Sequence, residues 1–268
     1  MTEHLLPFAA LLLAAIAAGS VGSLVVVRRR TYVAGAISHS MLAGIGLSAV
    51  LENKCGIAAV SPFGGSVLAA LAVAFVLAGI TRKNGARTDA ALSGVWAGGF
   101  AIGMILLKWA TGEMVDLEEY LLGSVAEVSA ARVAQMAVFT AGIVGVSVCG
   151  FNKLLAVAFD GELAQLRGVD VRLWECIFYV VTALTVAMLA YTVGILLAIA
   201  FLAIPAVAAA RVARRLSSQM FLAGAIAFAS AAIGYGAETA FGIPSSAATV
   251  LTALALDGVI RLFARTSV

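Results

Sequence analysis

Charged residues are scarce in this chain. Of its 268 residues only 12% are Asp, Glu, Lys or Arg, whereas 63% are hydrophobic. A soluble globular domain has about 25% charged residues, which cover its surface in water. Disordered chains and nucleic-acid binders need still more charge than a globule. The composition therefore excludes all three classes.

Cysteine is also rare, with three widely separated residues at Cys55, Cys149 and Cys176. No CxxC pair and no Cys/His cluster occurs, so neither a disulfide framework nor a thiolate metal site is indicated. Aromatic residues make up only 8% of the chain, whereas glycine alone contributes 27 residues. Abundant small residues are typical of helices that pack closely in lipid.

What the chain does contain is a series of long apolar runs. Each is continuous and about as long as the roughly 20 residues that cross a bilayer as a helix, which also excludes the alternating strands of a transmembrane β-barrel. We therefore predict an all-α, polytopic integral membrane protein with about nine transmembrane helices. The predicted spans are Leu5–Val27, Val33–Leu51, Val60–Ile80, Asp89–Ala110, Ala131–Phe151, Leu173–Val193, Gly194–Ala210, Ser217–Glu238 and Pro244–Leu262. Only the join between the sixth and seventh spans lacks charge.

Basic residues fall on alternate sides of this predicted membrane path. One side carries 14 of the 17 basic residues, namely Arg28, Arg29, Arg30, Arg82, Lys83, Arg87, Lys153, Arg167, Arg172, Arg211, Arg214, Arg215, Arg261 and Arg265. The other side has only Lys54, Lys108 and Arg132. Because Lys and Arg collect in cytoplasmic loops, the bias predicts an N-terminus outside and a C-terminus inside.

One histidine, His39, lies about two turns into the second predicted span. An ionisable side chain inside a membrane helix usually faces a cavity or a partner. Neutral imidazole is also a common ligand of transition metals. The alternative is a histidine that bonds to a neighbouring carbonyl and packs the helix bundle. The residues alone leave both interpretations open.

The predicted cytoplasmic loop after the fifth span contains an amphipathic pattern. Its apolar positions are Leu155, Phe159, Leu163 and Leu166, and its acidic positions are Asp160 and Glu162. Arg167 and then Gly168 follow at the end. Charges in this order complement a helix dipole, and glycine commonly follows a last turn. The pattern predicts a short helix that rests on lipid headgroups or docks into a cytoplasmic partner.

Three further patterns concern helix packing. Pro205 lies inside the seventh predicted span, where it is expected to kink the helix or, alternatively, to belong to a moving gate. In the fourth span, Gly94/Gly98 and Gly99/Gly103 form two GxxxG pairs that predict close helix contact. In the last span, Asp257 and Arg261 have the i, i+4 spacing of an ion pair.

Taken in order, several segments resemble the membrane permeases of bacterial zinc, manganese and iron ABC importers, the ZnuB-like family. Besides the arginines after the first span, the segments are Ala36–Gly44, Thr88–Gly94, Tyr120–Ser124, Phe159–Gly168, Gly194–Ala209 and Gly242–Ala247. The resemblance implies a single transmembrane permease domain, residues 1–268, with a cytoplasmic coupling segment at about 155–170. It further implies import of a divalent transition metal ion across the bacterial cytoplasmic (inner) membrane by alternating access.

The same resemblance implies the partners. These would be two cytoplasmic ATP-binding subunits, a second permease copy or a sister permease, an extracytoplasmic metal-binding protein and membrane lipid, with no nucleic acid. The residues implied to couple to the ATPase are Phe159, Asp160, Glu162, Ala164 and Gly168. The chain has no GxxxxGK[ST] phosphate loop, so ATP hydrolysis is expected on a separate subunit. No tightly bound cofactor is expected, because the metal ion is the transported substrate.

One position departs from the family pattern. Members usually carry an Asp four residues before the histidine that corresponds to His39, and this chain has Gly35 there. If His39 is a metal ligand of the pathway, another acidic residue or a sister permease has to replace that carboxylate, and Glu238 is a candidate. Alternatively, passage needs no tight site. On this basis Gly35→Asp is expected to tighten metal binding.

A secondary transporter or channel for a cation, with no ATPase partner, is the main alternative function. It would also show nine spans, but it would not require an amphipathic helix ended by Gly168, and it usually carries paired intramembrane acids. A structural membrane anchor would leave His39 and Pro205 unexplained. Imidazole suits Zn²⁺ and Fe²⁺ and oxygen ligands suit Mn²⁺, so all three ions are candidates.

Overall fold

The structure, a computed structural model, describes residues 5–57, 60–81, 88–112, 123 and 128–265. This part of the chain contains eleven helices and no strand, which confirms the all-α prediction. The helices are α1 (Leu5–Val27), α2 (Tyr32–Cys55), α3 (Pro62–Thr81), α4 (Thr88–Thr111), α5 (Ala130–Cys149), α6 (Phe151–Phe159), α7 (Gly161–Leu166), α8 (Val171–Val193), α9 (Ile195–Ala210), α10 (Leu216–Phe241) and α11 (Ser245–Arg265). Among the sequence features above, the basic residues at 82–87 and most of the segment 120–124 lie outside the described residues.

Eight of these helices are long and apolar enough to cross a membrane, namely α1 to α5, α8, α10 and α11. A ninth apolar helix, α9, has 16 residues. At 1.5 Å per residue it is about 24 Å long, somewhat shorter than a typical hydrocarbon core of ~30 Å. The polytopic fold with about nine apolar helices is therefore confirmed, with α9 as the short member.

Gly194 separates the sixth and seventh predicted spans. Its backbone has φ 92° and ψ 156°, a region that residues with a Cβ scarcely enter, so α8 ends at Val193 and α9 begins at Ile195. Gly123 packs directly onto this break, because a Cβ at position 123 would lie only 2.6 Å from the Gly194 nitrogen. The uncharged join is thus a real helix boundary, set by glycine.

The described residues divide into two compact units. The first comprises Met1–Thr31, Glu118–Val169 and Met188–Val268, and within it α1 packs against α5, α9 and α10, while α11 packs against α9 and α10. The second comprises Tyr32–Leu117 and Asp170–Ala187, and within it α2 packs against α3 and α4. Helix α8 contributes residues to both units.

The contact between α2 and α4 is unusually close, and glycine makes it so. A Cβ at Gly99 would collide with Ser40, and one at Gly103 would lie 2.6 Å from the Leu42 carbonyl carbon. The second GxxxG pair is therefore a helix contact, as predicted. At the first pair, Gly94 and Gly98, an added Cβ would meet no atom within 4 Å, so that pair makes no close helix contact among the described residues.

Candidate functional site

His39 lies on α2, in the second unit, with its side chain half-buried. Its Nδ1 is 3.0 Å from the carbonyl oxygen of Gly35, one turn earlier. A carbonyl only accepts hydrogen bonds, so this contact requires the proton on Nδ1, and in the neutral imidazole Nε2 then carries the lone pair. The bond to a neighbouring carbonyl, one of the two interpretations from the sequence, is present. It also orients the ring so that Nε2 can act as a ligand.

Two aromatic rings from α4 flank His39. The Trp96 ring centroid lies 4.8 Å from the imidazole centroid at an interplanar angle of 41°, and that of Phe100 lies 5.6 Å away at 52°. Trp96 and Phe100 are four residues apart and so share one helix face. Neither residue was predicted as part of the site, although their spacing and their place beside the GxxxG pair were signals in the sequence.

Ser40 sets the register that brings these rings to His39. Its hydroxyl lies 2.7 Å from the Ala36 carbonyl oxygen within α2 and 3.1 Å from the Val95 carbonyl oxygen on α4. Gly99 leaves room for Ser40 at the same level. The polar contact and the close glycine packing together fix Trp96, the residue after Val95, against the His39 turn of α2.

A side chain at position 35 would require the Trp96 indole to shift. A Cβ at this position would lie 2.7 Å from Trp96 Cζ3 and 2.8 Å from Trp96 Cη2, closer than real Cβ atoms approach other atoms. The structure therefore changes the expectation for Gly35→Asp. A carboxylate at position 35 requires the Trp96 indole to move first, so that substitution alone is not expected to add a ligand to the His39 site.

Within the part of the chain that the structure describes, no three His, Cys, Asp or Glu residues come together in a way that would hold a metal ion. The described residues thus form no multidentate resident site of the kind found in metalloenzymes. At His39 the identified donor is a single imidazole nitrogen.

Glu238 lies on α10, in the first unit. One of its carboxylate oxygens, Oε2, is buried and has no hydrogen-bond partner among the described residues, and the same holds for the hydroxyls of Ser245 and Ser246 at the start of α11. Buried polar oxygens are normally paired with a donor, water or a cation. These unpaired oxygens occur where Gly242, with φ 66° and ψ 22°, ends α10 before the turn into α11. His39 belongs to the second unit and Glu238 to the first.

The predicted amphipathic helix is two helices rather than one. Asp160 interrupts it with φ −152° and ψ 97°, and its carboxylate accepts a hydrogen bond of 2.9 Å from the Leu163 backbone N–H. Asp160 is therefore the N-cap of α7, and α6 ends just before it. An aspartate placed before a short helical turn was a signal for this break, but only its charge was used in the prediction.

Gly168 ends α7 as predicted. With φ +78°, it donates its N–H to the Gln165 carbonyl at 3.0 Å, and the Val169 N–H reaches the Ala164 carbonyl at 3.0 Å. This pair of bonds is the Schellman motif, which satisfies the last carbonyls of a helix and favours glycine. Helix α7 is thus capped at both ends by its own residues, Asp160 before it and Gly168 after it.

Apolar side chains on this segment face outward. Ala164 is buried, whereas the Phe159 and Leu166 side chains are 74% and 85% exposed, and Leu163 and Glu162 are exposed as well. Leu163 and Leu166 are three residues apart on α7, and Phe159 is the last residue of α6, just before the break. We call these three exposed apolar residues the apolar ridge. A helix pair with its anchor inward and an apolar ridge outward has the form of a docking element or a lipid-facing one.

Pro205 is buried inside α9, which continues through it without ending. Near the end of the helix, the Gln219 side-chain amide donates to the Ala206 carbonyl oxygen at 3.2 Å. Asp257 pairs with Arg261, as the i, i+4 spacing predicted, at 3.0 Å. It also pairs at 3.0 Å with Arg211, the C-cap of α9, and this second partner was not predicted.

Comparison with known proteins covers nearly the whole chain. A family model described as the ABC 3 transport family matches residues 4–263. A Chlamydia pneumoniae protein described as "Probable metal transport system membrane protein" is 31% identical over 219 residues, which cover 81% of this chain and 74% of that protein. The manganese transport system membrane protein MntC of Listeria innocua is 29% identical over 249 residues, covering 93% of this chain and 86% of MntC.

A solved structure extends this similarity to the fold. PsaBC from Streptococcus pneumoniae, determined in complex with Fab, aligns with a TM-score of 0.83 and 25% sequence identity, covering 97% of this chain and 91% of that one. The family match, the sequence relatives and the fold match all span most of the chain. The similarity therefore concerns the whole helical bundle rather than one segment.

Proposed function

The chain belongs to the ABC 3 transport family, and on that premise we propose that it is the permease subunit of an ATP-driven importer of zinc, manganese or iron ions. It is a multi-pass protein of the cytoplasmic membrane. The observation that carries the proposal is His39, an imidazole inside an apolar helix whose Nε2 keeps its lone pair. Relatives described as metal transport membrane proteins support the same substrate class.

The ion is substrate rather than cofactor, and alternating access moves it past His39. A neutral imidazole binds a divalent ion through one nitrogen and releases it readily, because few other protein ligands must be exchanged. Glu238 is proposed as a second contact in the pathway, since its buried oxygen has no protein partner among the described residues. Pro205, buried in the short helix α9, is proposed to allow that helix to bend as the permease changes state.

ATP hydrolysis takes place on two cytoplasmic subunits that dock on α6 and α7. The apolar ridge, which stays exposed on an otherwise capped and well-defined segment, supports this docking. Asp160 and Gly168 fix the two ends of α7, and the buried Ala164 anchors it to the permease. The exposed side chains of Phe159 and Glu162 contact the ATP-binding subunit. A second permease copy or a sister permease and an extracytoplasmic metal-binding protein complete the importer.

Dependence on ATP tests this proposal against a secondary transporter or channel. The permease is purified from its own membranes in mild detergent, and import of radiolabelled zinc, manganese and iron is measured in cells with and without ATP depletion. We expect a nucleotide-binding subunit to co-purify and import of at least one ion to stop on depletion. Import that continues without ATP, with no such subunit bound, contradicts the proposal and favours the secondary transporter.

A further inference from the structure

The Trp96 indole fills the space beside His39 that a ligand at position 35, on the same helix, would need. Residue 35 lies one turn before His39, so its side chain would share the face of α2 that carries the imidazole. The Trp96 indole fills that place, since Cζ3 and Cη2 would both lie under 3 Å from a Cβ at position 35. A glycine at position 35 and a tryptophan at position 96 are thus two parts of one packing arrangement.

The indole cannot be regarded as a loosely placed surface ring. Trp96 follows Val95, whose carbonyl accepts from Ser40, and it precedes by three residues Gly99, which packs on Ser40. Its ring also contacts the imidazole at 4.8 Å between centroids. The register of α4 against α2 therefore holds Trp96 at both Gly35 and His39.

This arrangement changes the chemistry that an ion meets. The Nε2 nitrogen of the neutral His39 ring carries a lone pair, and the rings of Trp96 and Phe100 beside it have aromatic faces that attract cations weakly. No carboxylate can be supplied from position 35 while the indole is in place. Nitrogen ligands suit Zn²⁺ and Fe²⁺, whereas Mn²⁺ favours carboxylate and other oxygen ligands.

We propose that Gly35 and Trp96 together determine the metal preference of the His39 site: Gly35 supplies no side-chain oxygen and the Trp96 indole fills the place that such a ligand would need, which disfavours Mn²⁺ relative to Zn²⁺ and Fe²⁺. The inference rests on the proposed function in one respect, namely that His39 contacts the transported ion.

The direct test compares the binding of Zn²⁺ and Mn²⁺ to the purified full-length permease, free of any polyhistidine tag, in lipid nanodiscs. The variants are W96A, G35D and the double variant G35D/W96A, with calorimetric titration as the readout. In the double variant the carboxylate has room to reach the ion with His39, so affinity for Mn²⁺ rises at least about tenfold over the wild type. Affinity for Zn²⁺ rises by a smaller factor, so the ratio of Mn²⁺ to Zn²⁺ affinity increases.

Adding H39N to the double variant is expected to abolish the gain, which assigns the new binding to this site. W109A serves as the matched control, because Trp109 is an exposed tryptophan of the same helix, and it should leave both affinities unchanged. The inference is overturned if G35D/W96A binds Mn²⁺ no more tightly than the wild type, or if G35D alone gains as much as the double variant.

Thermal unfolding tests the packing arrangement separately, should the double variant fold poorly. G35A adds only a methyl group and is expected to lower Tm by several degrees, because overpacking a tight contact is destabilising. W96A should remove most of the difference between Gly and Ala at position 35. G98A is the control, since a Cβ there meets no described atom within 4 Å. Equal Tm values for G35A and the wild type contradict the inference.

Failure of the proposed function has a different signature. Normal metal uptake in His39→Asn cells would remove His39 from the pathway, whatever the binding titrations show. An unchanged ratio of Mn²⁺ to Zn²⁺ affinity in G35D/W96A would instead reject the role of Trp96, even when uptake depends on His39.

Discussion

Arg211 and Asp257 join the end of α9 to α11 through a hydrogen bond of 3.0 Å between Nε and Oδ1. The Asp257 side chain is only 12% exposed, and its other oxygen pairs with Arg261. Helix α9 follows the break at Gly194 and contains Pro205 in its second half. The Arg211–Asp257 bond, together with the Gln219 contact to Ala206, ties the second half of α9 to its neighbours.

Asp257→Asn should therefore lower the stability of the folded permease. The change weakens two charge-assisted bonds at a largely buried carboxylate, which costs on the order of 1–3 kcal/mol. Thermal unfolding in detergent measures the loss. Arg261→Gln is the control, because the Arg261 side chain is 56% exposed and an exposed i, i+4 pair contributes little. Equal stability of Asp257→Asn and the wild type would show that the tie does not hold α9.

Gly168→Val should disrupt the coupling segment while leaving the membrane helices intact. Gly168 has φ +78°, and a β-branched residue in that conformation costs on the order of 1–3 kcal/mol. We expect normal membrane insertion but ATP hydrolysis that no longer drives uptake. Gly168→Asn is the control, since asparagine tolerates positive φ, and it should retain most activity. If the valine variant transports normally, the docking role of this segment is wrong.

Leu166→Ser tests the apolar ridge itself. This side chain is 85% exposed, so its loss should not change the Tm of the isolated permease. If the ridge inserts into an ATP-binding subunit, co-purification of that subunit should fall at least about tenfold, as for a well-packed anchor worth about 1.4 kcal/mol or more. Gln165→Ala, also exposed, should have no effect. A ridge that rests on lipid would leave co-purification unchanged in both variants.

The orientation argued from the basic residues predicts the result of cysteine labelling. In a chain whose three native cysteines are replaced, a cysteine at Ser217 should react with an impermeant reagent only after the membrane is opened. A cysteine at Gly112 should react from outside in intact cells. The positive-inside bias is the physical reason, and the reverse labelling pattern would overturn the orientation.

Features set within a few residues of sequence were predictable here. Gly168 and the Asp257–Arg261 pair are local. The predicted division between the sixth and seventh spans coincides with the helix boundary at Gly194, although the lack of charge there left the number of spans open. The break at Asp160 is also local, because its carboxylate caps the next three residues, a signal separate from its charge.

Close helix contact at the Gly99/Gly103 pair was predictable, but the residues that pair up across two helices were not. Arg211 is 46 residues from Asp257, and no periodicity links the two. Likewise, nothing in α2 alone indicates that Trp96 lies against Gly35, because that contact depends on the register between α2 and α4. Both depend on how small residues allow two helices to approach, which fixes partners only once the bundle has formed.

The central claim, that a metal ion passes His39 during import, is tested most directly by uptake in His39→Asn cells. Asparagine keeps a hydrogen-bonding group of similar size but binds divalent ions poorly, so the abundance of the permease should stay normal. Uptake of radiolabelled zinc, manganese and iron is then measured at equal permease levels. The account predicts that the transported ion enters at least about tenfold more slowly. Normal uptake of every ion in this variant would contradict it and return His39 to a packing role.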